Sequence, residues 1–401
     1  MNLSQENSLP PKPPGAIEWL GKNLFNNWFN SILTIVSVAF VVFAFNLVFK
    51  WAVFYADWRP VTEFPLLYMI GQYPREFLWR IGLSLAIISL LTGISWGLWK
   101  GLIESFAITL GALLGLSAIM PIYLNDITIE IRIFMLFCVL LIFLGFLLGR
   151  TNRVTGKFTV LAWFISSLLI VLIILPGFSD GLLEAVPTGL WGGLLVTMIL
   201  AIGGIVLSFP IGVLLALGRR STLPVVKGFC IAFIELIRGV PLITILFMFS
   251  LILQVFLPVG SRFDRLLRAL IGITIFSAAY MAENVRGGLQ SIPIGQIEAA
   301  KAIGMNGVQI NFYIVLPQAL RIVIPAIVGQ FISLFKDTTL VIILGINELL
   351  GIGRAVINSD PQFVQLQLEV YIFIALVFWV FSYAMSYSSL QLEKSLGVGE
   401  R

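Results

Sequence analysis

Residues 296–304 read QIEAAKAIG and, after nine further residues, residues 314–317 read IVLP. This polar stretch lies between two long apolar segments, so we expect it to form a loop outside them. Its alanines favour a short helix, and Gly304 can take the positive φ that often ends one. Asn306 followed three residues later by Gln309 has the spacing of a capping box, which predicts a second short helix that the proline of IVLP disrupts. Because alanine side chains let another surface approach closely, the stretch is expected to be a docking element.

The chain around this stretch is strongly apolar. Of its 401 residues, 59% are hydrophobic and 11% are charged, and the mean hydropathy is +1.01, which excludes a soluble globule with a polar surface. Apolar runs of about 20 residues, the length of a membrane-spanning helix, recur ten times and do not alternate with period two. The runs are roughly 30–49, 81–99, 102–120, 131–149, 158–176, 188–217, 229–257, 268–289, 321–345 and 369–389. The sequence predicts an all-α polytopic membrane protein with about ten transmembrane helices.

Basic residues in short loops predict the orientation of these helices. Two basic loops, two crossings apart, are expected in the cytoplasm. They contain Arg150, Arg153 and Lys157 in one case and Arg219, Arg220 and Lys227 in the other. Counting crossings from them places both termini and the 296–317 stretch inside. Residues 1–29 are polar and proline-bearing, which predicts a disordered cytoplasmic lead without a removable signal peptide.

Missing residue types exclude several kinds of chemistry. The sequence has no histidine, which excludes His-metal sites and Ser-His-Asp triads. It also has no G-x-x-x-x-G-K-[ST] motif, so we expect that the chain does not bind ATP through a P-loop. We predict no catalytic residue, cofactor or metal on this chain. If transport is driven by ATP, another polypeptide must carry the ATPase. No basic cluster is interleaved with aromatics, so nucleic-acid binding has no support.

The 296–317 stretch and three further motifs resemble the permease subunits of bacterial ABC importers for amino acids, of the histidine, glutamine and arginine type. Written E-A-A-x3-G-x9-I-x-L-P, the stretch matches the cytoplasmic EAA loop of that family. The other motifs are ELIRGVPL at 235–242, AY at 279–280 with ENVRGGL at 283–289, and KDTTL at 336–340. The matching part is about half of the chain, and the added N-terminal half looks like that of the long permeases of general L-amino-acid systems.

The resemblance implies a permease subunit of an ATP-driven amino-acid importer in the bacterial inner membrane. Residues 188–401 would be the five-helix permease domain, with the EAA coupling loop at 291–318, and residues 30–187 a five-span N-terminal extension. Implied partners are ATPase subunits that bind ATP and Mg, a second homologous permease and an extracytoplasmic amino-acid-binding protein. The residues implied to couple to the ATPase are Glu298, Ala299, Ala300, Gly304, Ile314, Leu316 and Pro317.

Charged residues inside the predicted spans are costly unless they are paired or turned inward. Glu235 and Arg238 stand three apart on one span, and Glu283 and Arg286 stand three apart on the next, so each pair shares a helix face. Both pairs are expected near the cytoplasmic side, which predicts a four-residue ionic network that holds an inner gate or braces the loop. The alternative is two independent interfacial pairs whose arginines extend toward water.

A second polar group lies deeper in the membrane. Lys336 and Asp337 fall past the middle of the ninth predicted span, beside Thr338 and Thr339. Together they would offer a cation, an anion and hydroxyls to a zwitterionic amino acid. The alternative is that the lysine and the aspartate only neutralise each other.

Three arginines occur in a loop predicted to be external, where the orientation rule disfavours bases. Arg262, Arg265 and Arg268 are expected to dock an acidic surface of a binding protein. Binding to membrane lipid phosphates is the alternative.

Two further patterns concern packing. The aromatic-rich residues 50–80 are expected to lie on the outer membrane surface as an interfacial segment. Glycines four residues apart, at 111 and 115 and at 145 and 149, would let helices cross closely.

Two other classes of function remain open at this point. A secondary transporter driven by an ion gradient would use an intramembrane acid such as Asp337 for coupling. A purely structural membrane subunit is the third reading.

Overall fold

The computed structural model describes residues 15–99, 101, 103–119, 127–151, 154–178, 183–256, 263–395 and 397. These residues form helices joined by short connections, with no strand among them. This confirms the predicted all-α polytopic fold. The chain divides into two compact units, Met1–Asp57 and Trp58–Arg401.

The first unit contains two helices, α1 (Ala16–Asn23) and α2 (Trp28–Lys50), and α2 continues into a π-helical turn, Trp51–Tyr55. The side chain of Asn27 caps α2 by accepting a hydrogen bond from the backbone N–H of Asn30 at 2.8 Å. The hydrophobic side chains of α2 itself are distributed over all of its faces, as expected of a helix that faces hydrocarbon.

The second unit contains the other helices of the described chain. They are α3 (Arg59–Thr62), α4 (Pro65–Ile70), α5 (Leu78–Trp99), α6 (Glu104–Ile119), α7 (Ile129–Arg150), α8 (Gly156–Leu169), α9 (Gly193–Arg219), α10 (Pro224–Arg238), α11 (Leu242–Phe247), α12 (Leu253–Phe256), α13 (Arg265–Gln290), α14 (Ile294–Ala302), α15 (Gly307–Gln309), α16 (Leu316–Asp337), α17 (Leu349–Ile357) and α18 (Gln367–Ser395). Short π-helical or 3-10 segments extend several of them, notably Ile310–Val315 before α16 and Thr338–Leu344 after it.

Eight helical stretches within the described residues are long and apolar enough to cross a membrane. Two of the ten predicted spans differ from the prediction. The run predicted at 229–257 falls on a broken element, Pro224–Arg238 followed by Leu242–Ser250, whose two parts meet at 107°. Gly239 and Pro241 lie at this break, and a proline cannot donate the N–H that would continue the helix. Within the predicted run 102–120, the helix of the described residues is α6 (Glu104–Ile119), which has 16 residues.

Glycines bring α5 and α7 into direct backbone contact. A Cβ placed on Gly145 would collide with the backbone at Leu90 and Ile94, and one on Gly149 would meet the backbone of Gly97 at 3.0 Å. The 145/149 spacing therefore does mark a close crossing. Gly115 on α6 has open space around it, so the 111/115 spacing does not have this role there.

Within residues 188–401, helix α13 packs against α9, α16 and α10. Its contact face is built from small side chains, and Ala278, Ala279 and Ala282 are fully buried. Small residues let neighbouring helices approach closely. Helices in lipid associate through such close packing, because no hydrophobic driving force acts between them.

The expectation of a surface segment at residues 50–80 is wrong for its second half. Tyr68 and Tyr73 are buried, and the Tyr73 hydroxyl donates to the carbonyl of Leu175 at 2.8 Å. An antiparallel bridge pairs Gly71 with Trp191, at the start of α9. Aromatics of this kind have a large apolar area to bury, and here helix ends rather than lipid headgroups cover it.

Candidate functional site

The residues after α13 form two short helices joined by a tight turn. Helix α14 ends at Ala302, and Gly304 has a φ of +84°, a conformation that favours glycine. Asn306 and Gln309 then form a reciprocal capping box, each side chain bonding to the other's backbone N–H at 2.9 Å. The predicted turn chemistry is confirmed at both positions.

The second of these helices does not stop at Pro317, contrary to the prediction. Helix α15 passes through a π-helical segment, Ile310–Val315, directly into α16. Pro317 falls in the first turn of α16, where a missing N–H is tolerated. The wider π-helical turn before it accommodates the change in hydrogen bonding that the proline imposes.

The resulting helix is longer than a membrane crossing requires. It runs over Gly307–Leu344, 38 residues. At about 1.5 Å per residue that is roughly 57 Å, against about 30 Å for a bilayer core. The helix is thus longer than one crossing requires. Its first turns and α14 lie in the stretch that we call the coupling segment, residues 291–318.

The coupling segment exposes apolar side chains that the rest of the described residues does not cover. Ile303 is 78% exposed, Val308 67% and Tyr313 76%. Sequence reasoning missed these three residues, although each is an apolar residue in an otherwise polar stretch. Exposed apolar side chains outside a membrane can mark a protein interaction surface.

The residues predicted to couple to an ATPase divide into two groups. Glu298, Ala299, Gly304 and Pro317 are exposed. Three others face inward: Ala300 is 2% exposed, and Ile314 and Leu316 pack against the same cluster of core residues. The inward group anchors the coupling segment to the transmembrane helices. The side chains of Gln318 and Gln296 join across it with an N–O distance of 2.8 Å.

An ionic network lies where α9, α10 and α13 end near the coupling segment. Glu283 on α13 accepts a hydrogen bond from Arg286 Nε at 2.8 Å, and its carboxylate lies 3.5 Å from Arg219 and 3.7 Å from Arg238. Arg219 also pairs with Glu235 at 3.0 Å. The structure thus brings all four predicted residues into one network, through a fifth that was not predicted.

Arg219 changes how the predicted pairs are connected. Glu235 pairs with Arg219 on α9 and not with Arg238 on its own helix face. The Arg238 guanidinium lies 5.5 Å from the centre of the Tyr280 ring, a cation–π contact. Arg219 is the last residue of α9, where a basic residue interacts favourably with the helix dipole. Because this local effect already accounts for a basic residue there, its partners on other helices could not be predicted from the sequence.

The polar group at the end of α16 is less compact than predicted. Thr338 is buried, and its hydroxyl donates to the carbonyl of Phe335 at 2.6 Å, while Lys336 is exposed. The Thr339 hydroxyl donates to the Lys336 carbonyl at 2.9 Å. Within the described residues Lys336 and Asp337 form no ion pair, so mutual neutralisation does not describe them.

The arginines predicted to dock a binding protein have different surroundings. Arg262 lies outside the described residues, and Arg265 is exposed at the start of α13. Arg268 is 6% exposed, and its guanidinium donates to the carbonyl of Ser250. The prediction of docking is therefore wrong for Arg268, because the helix start packs against the preceding segment. A cavity of about 640 Å³ beside Arg265 opens at the end of α13 opposite the coupling segment.

A buried carboxyl group lies near that same end of the helix bundle. Glu348 caps α17, accepting from the N–H groups of Leu350 at 2.8 Å and Gly351 at 2.9 Å, and it is fully buried. Burial raises the pKa of Glu348 to about 7, against the opposing effect of these two hydrogen bonds. A parallel bridge links Glu348 to Gly193 at the start of α9.

Known proteins with similar sequences identify the class of this chain. The profile of the family described as "Binding-protein-dependent transport system inner membrane component" matches residues 208–397. The inner membrane amino-acid ABC transporter permease protein YhdY of Escherichia coli K12 is 35% identical over 413 residues, covering 98% of this chain and 97% of that protein. The chain belongs to the amino-acid ABC transporter permeases.

Other relatives match about half of this permease. The glutamate/glutamine/aspartate/asparagine transport system permease protein BztC of Rhodobacter capsulatus is 48% identical over 53% of the chain and 49% of its own length. The probable glutamine ABC transporter permease protein GlnP of Bacillus subtilis is 36% identical over 51% of the chain and 92% of its own length. A chain in the crystal structure of an amino acid ABC transporter with histidines matches 51% of this chain and 92% of itself, with 28% identity and a TM-score of 0.46.

Family membership decides between the classes of function left open by the sequence. The permease is a multi-pass protein of the bacterial inner membrane and a transport subunit of an ATP-driven importer. The reading as an ion-gradient-driven secondary transporter is set aside, because the relative that matches almost the whole chain is an ABC transporter permease.

Proposed function

We propose that the coupling segment, residues 291–318, is the contact through which a separate ATPase subunit drives this permease. The observation that carries the proposal is the exposure of the apolar side chains of Ile303, Val308 and Tyr313, at the start of a 38-residue helix that is longer than a membrane crossing requires. ATP and Mg would bind to the ATPase. Glu298 and Ala299 add an exposed charge and a small side chain that permits close approach.

The connections of the coupling segment support its use as a lever. Helix α14 starts only four residues after α13 ends, and α15 is continuous with α16. Ala300, Ile314 and Leu316 pack against residues of the helix bundle, so the segment and the helices would move together. A displacement by the ATPase would therefore be passed to α13 and α16, which carry the ionic network and the Lys336 group.

The ionic network is proposed as the inner gate. Its three arginines and two glutamates come from α9, α10 and α13, so the ion pairs break or rearrange when these helices separate. Breaking a partly buried ion pair leaves an uncompensated charge, which makes two discrete arrangements more stable than intermediate ones.

An amino acid is the proposed substrate, in keeping with what the names of BztC and GlnP say of those relatives. Lys336 and Asp337, neither of them ion-paired with another described residue, would offer opposite charges to its carboxylate and ammonium groups, with Thr338 and Thr339 beside them. A second, homologous permease would close the other side of the path. Residues 30–187 are proposed to be the N-terminal five-span extension, and both termini are proposed to lie in the cytoplasm.

An extracytoplasmic amino-acid-binding protein is the proposed donor of substrate. It would dock at the end of α13 opposite the coupling segment, where Arg265 is exposed beside a cavity of about 640 Å³. An exposed arginine at this place would attract an acidic surface over the Debye length of about 8–10 Å.

Isolation of the native complex tests these partners. The full-length permease, tagged at its C-terminus and solubilised in mild detergent, should co-purify with a P-loop ATPase that mass spectrometry identifies. In vesicles, amino-acid uptake by this complex should be blocked by vanadate and should survive an ionophore. A complex that contains no ATPase, or uptake that an ionophore abolishes and vanadate does not, would overturn the proposal.

A further inference from the structure

Three stretches of backbone meet near the cavity that opens beside the start of α13. They come from the segment before α5, residues 64–73, from the start of α9 and from the residues before α17. Gly71 pairs with Trp191 in an antiparallel bridge, and Gly193 pairs with Glu348 in a parallel bridge. The middle stretch is therefore paired on both of its sides. We call the three stretches together the outer junction: residues 70–71, 191–193 and 347–348.

Glycines bring the backbones of the outer junction into direct contact. The N–H of Gly192 donates to the carbonyl of Ile70 at 3.2 Å. A Cβ placed on Gly71 would lie 2.5 Å from the nitrogen of Gly192, and one on Gly193 would collide with the carbonyl oxygen of Tyr68. Gly71 and Gly193 also have positive φ angles, +69° and +59°, which other residues rarely adopt. A side chain at either position would therefore push the stretches apart.

Aromatic side chains fix the 64–73 segment to its surroundings. The rings of Tyr68 and Phe373, on α18, meet edge to face with their centres 5.2 Å apart. The ring of Tyr73 lies against Trp191, with centres 6.5 Å apart, and its hydroxyl bonds to the carbonyl of Leu175. Both tyrosines are buried. The segment is thus held by α18 on one side and by the start of α9 on the other.

The outer junction contributes part of the wall of the cavity of about 640 Å³. Trp191 and Asn347 line this cavity, whereas the 64–73 segment, which the structure describes throughout, does not. The N–H of Gly193 donates to the carbonyl of Asn347 at 2.9 Å. The segment therefore lies behind the cavity wall and contacts it through the start of α9. Because close-packed interiors transmit strain, a displacement of the segment would move the wall.

We propose that the 64–73 segment positions the docking surface for the extracytoplasmic binding protein, by holding Trp191 and Asn347 in the wall of the cavity. This inference rests on the proposed docking at that cavity. A surface held in place before docking loses less conformational freedom when its partner binds, so it binds at a lower partner concentration. The segment lies outside residues 208–397, the part that the family profile matches. The inference gives the N-terminal half of the chain a role in receiving the binding protein.

Gly71→Ala tests this positioning role, and Gly145→Ala at the crossing of α5 and α7 is the matched control. Both changes place a methyl group against backbone, but only Gly71 belongs to the outer junction. Gly71→Ala should raise several-fold the concentration of the wild-type transporter's binding protein that gives half-maximal uptake in vesicles, with the maximal rate nearly unchanged. Gly145→Ala should lower thermal stability and leave that concentration unchanged. Hydrogen–deuterium exchange at residues 191–193 and 347–348 should become faster in Gly71→Ala alone.

Tyr73→Phe keeps the test decisive if Gly71→Ala does not fold. It removes only the hydroxyl that bonds to the Leu175 carbonyl, so it should change both measurements in the same direction by a smaller amount. An unchanged half-maximal concentration or unchanged exchange, in Gly71→Ala or in the Tyr73→Phe variant that replaces it, would overturn the inference. A shift of that concentration for Arg265→Ser alone would overturn only this inference. No shift for any of these variants would overturn the docking proposal as well.

Discussion

The guanidinium of Arg219, at the end of α9, lies 3.5 Å from the carboxylate of Glu283 on α13. This contact joins two helices that are separate in sequence by more than forty residues, and it includes Glu235 of α10 through the same arginine. Two interhelical ion pairs of the network therefore depend on one residue, Arg219. The network is proposed to face the cytoplasm.

The Arg219–Glu283 pair should show energetic coupling. Removing Arg219 takes one partner from Glu283, and removing Glu283 takes one partner from Arg219, so the double variant should be less damaged than the sum of the singles, by about 1 kcal/mol. Thermal unfolding of purified Arg219→Ala, Glu283→Ala and the double variant measures this. Arg220→Ala is the control, because Arg220 donates to the Leu289 carbonyl at 3.3 Å. Additivity of the Arg219 and Glu283 changes within about 0.3 kcal/mol would show that the two residues do not interact.

Burial of Glu348 should make the stability of the fold depend on pH. The pKa of Glu348 is about 7 in the folded protein, above its ordinary value of 4.5. Between these two pH values the folded state therefore keeps a proton that the unfolded state has lost. The free energy of unfolding should therefore fall as pH rises from about 4.5 to 7, by about 3 kcal/mol in total. Glu348→Gln keeps the helix cap without the titration, so its unfolding free energy should lack this component. Parallel pH profiles of the two proteins would contradict the assignment.

The glycine crossing of α5 and α7 predicts opposite results for two similar changes. Gly145→Ala places a methyl group against the backbone of α5 and should destabilise the protein by about 1–3 kcal/mol. Gly115→Ala on α6 enters open space and should be neutral, or stabilising by up to about 1 kcal/mol. The measurement is the melting temperature of each variant in the same detergent. A loss of stability in both, or in neither, would mean that the crossing is not as close as described.

At the end of α13 opposite the coupling segment, Arg265 is the proposed docking residue and Arg268 has a structural role. Arg265→Ser should raise the binding-protein concentration needed for half-maximal uptake, most strongly at low salt, with the maximal rate nearly unchanged. Arg268→Ser should instead lower thermal stability, because the Ser250 carbonyl loses its buried donor. If Arg265→Ser leaves the concentration dependence unchanged at low salt, the binding protein does not dock there.

Features that depend on a few neighbouring residues could be predicted from the sequence. The turn at Gly304 and the capping box of Asn306 and Gln309 involve residues at most four positions apart. The apolar runs likewise predicted the membrane helices from composition and length alone. Pro241 also indicated a break, but the apolar run continues on both sides of it, so the change of direction was not predicted.

Contacts between distant segments could not be predicted in this way. The partners of Arg219 and the burial of Arg268 depend on which helix ends meet, and no spacing rule encodes that. Helix α17 and the bridge from Glu348 to Gly193 were missed because nine residues are too short for a membrane span. The exposed Ile303 was missed for another reason: burial, rather than residue type, distinguishes it from a core residue.

Gly304 offers the most direct test of the coupling segment. At a φ of +84° with open space around it, Gly304→Val strains only the backbone of the turn, by about 1–3 kcal/mol, and should misplace α14. Gly307→Val, three residues away, adds the same side chain in equally open space without a positive φ. The measurement is the number of amino acids taken up per ATP hydrolysed by the complete transporter in vesicles. The account predicts a several-fold fall for Gly304→Val and an unchanged ratio for Gly307→Val, and an unchanged ratio in both would contradict it.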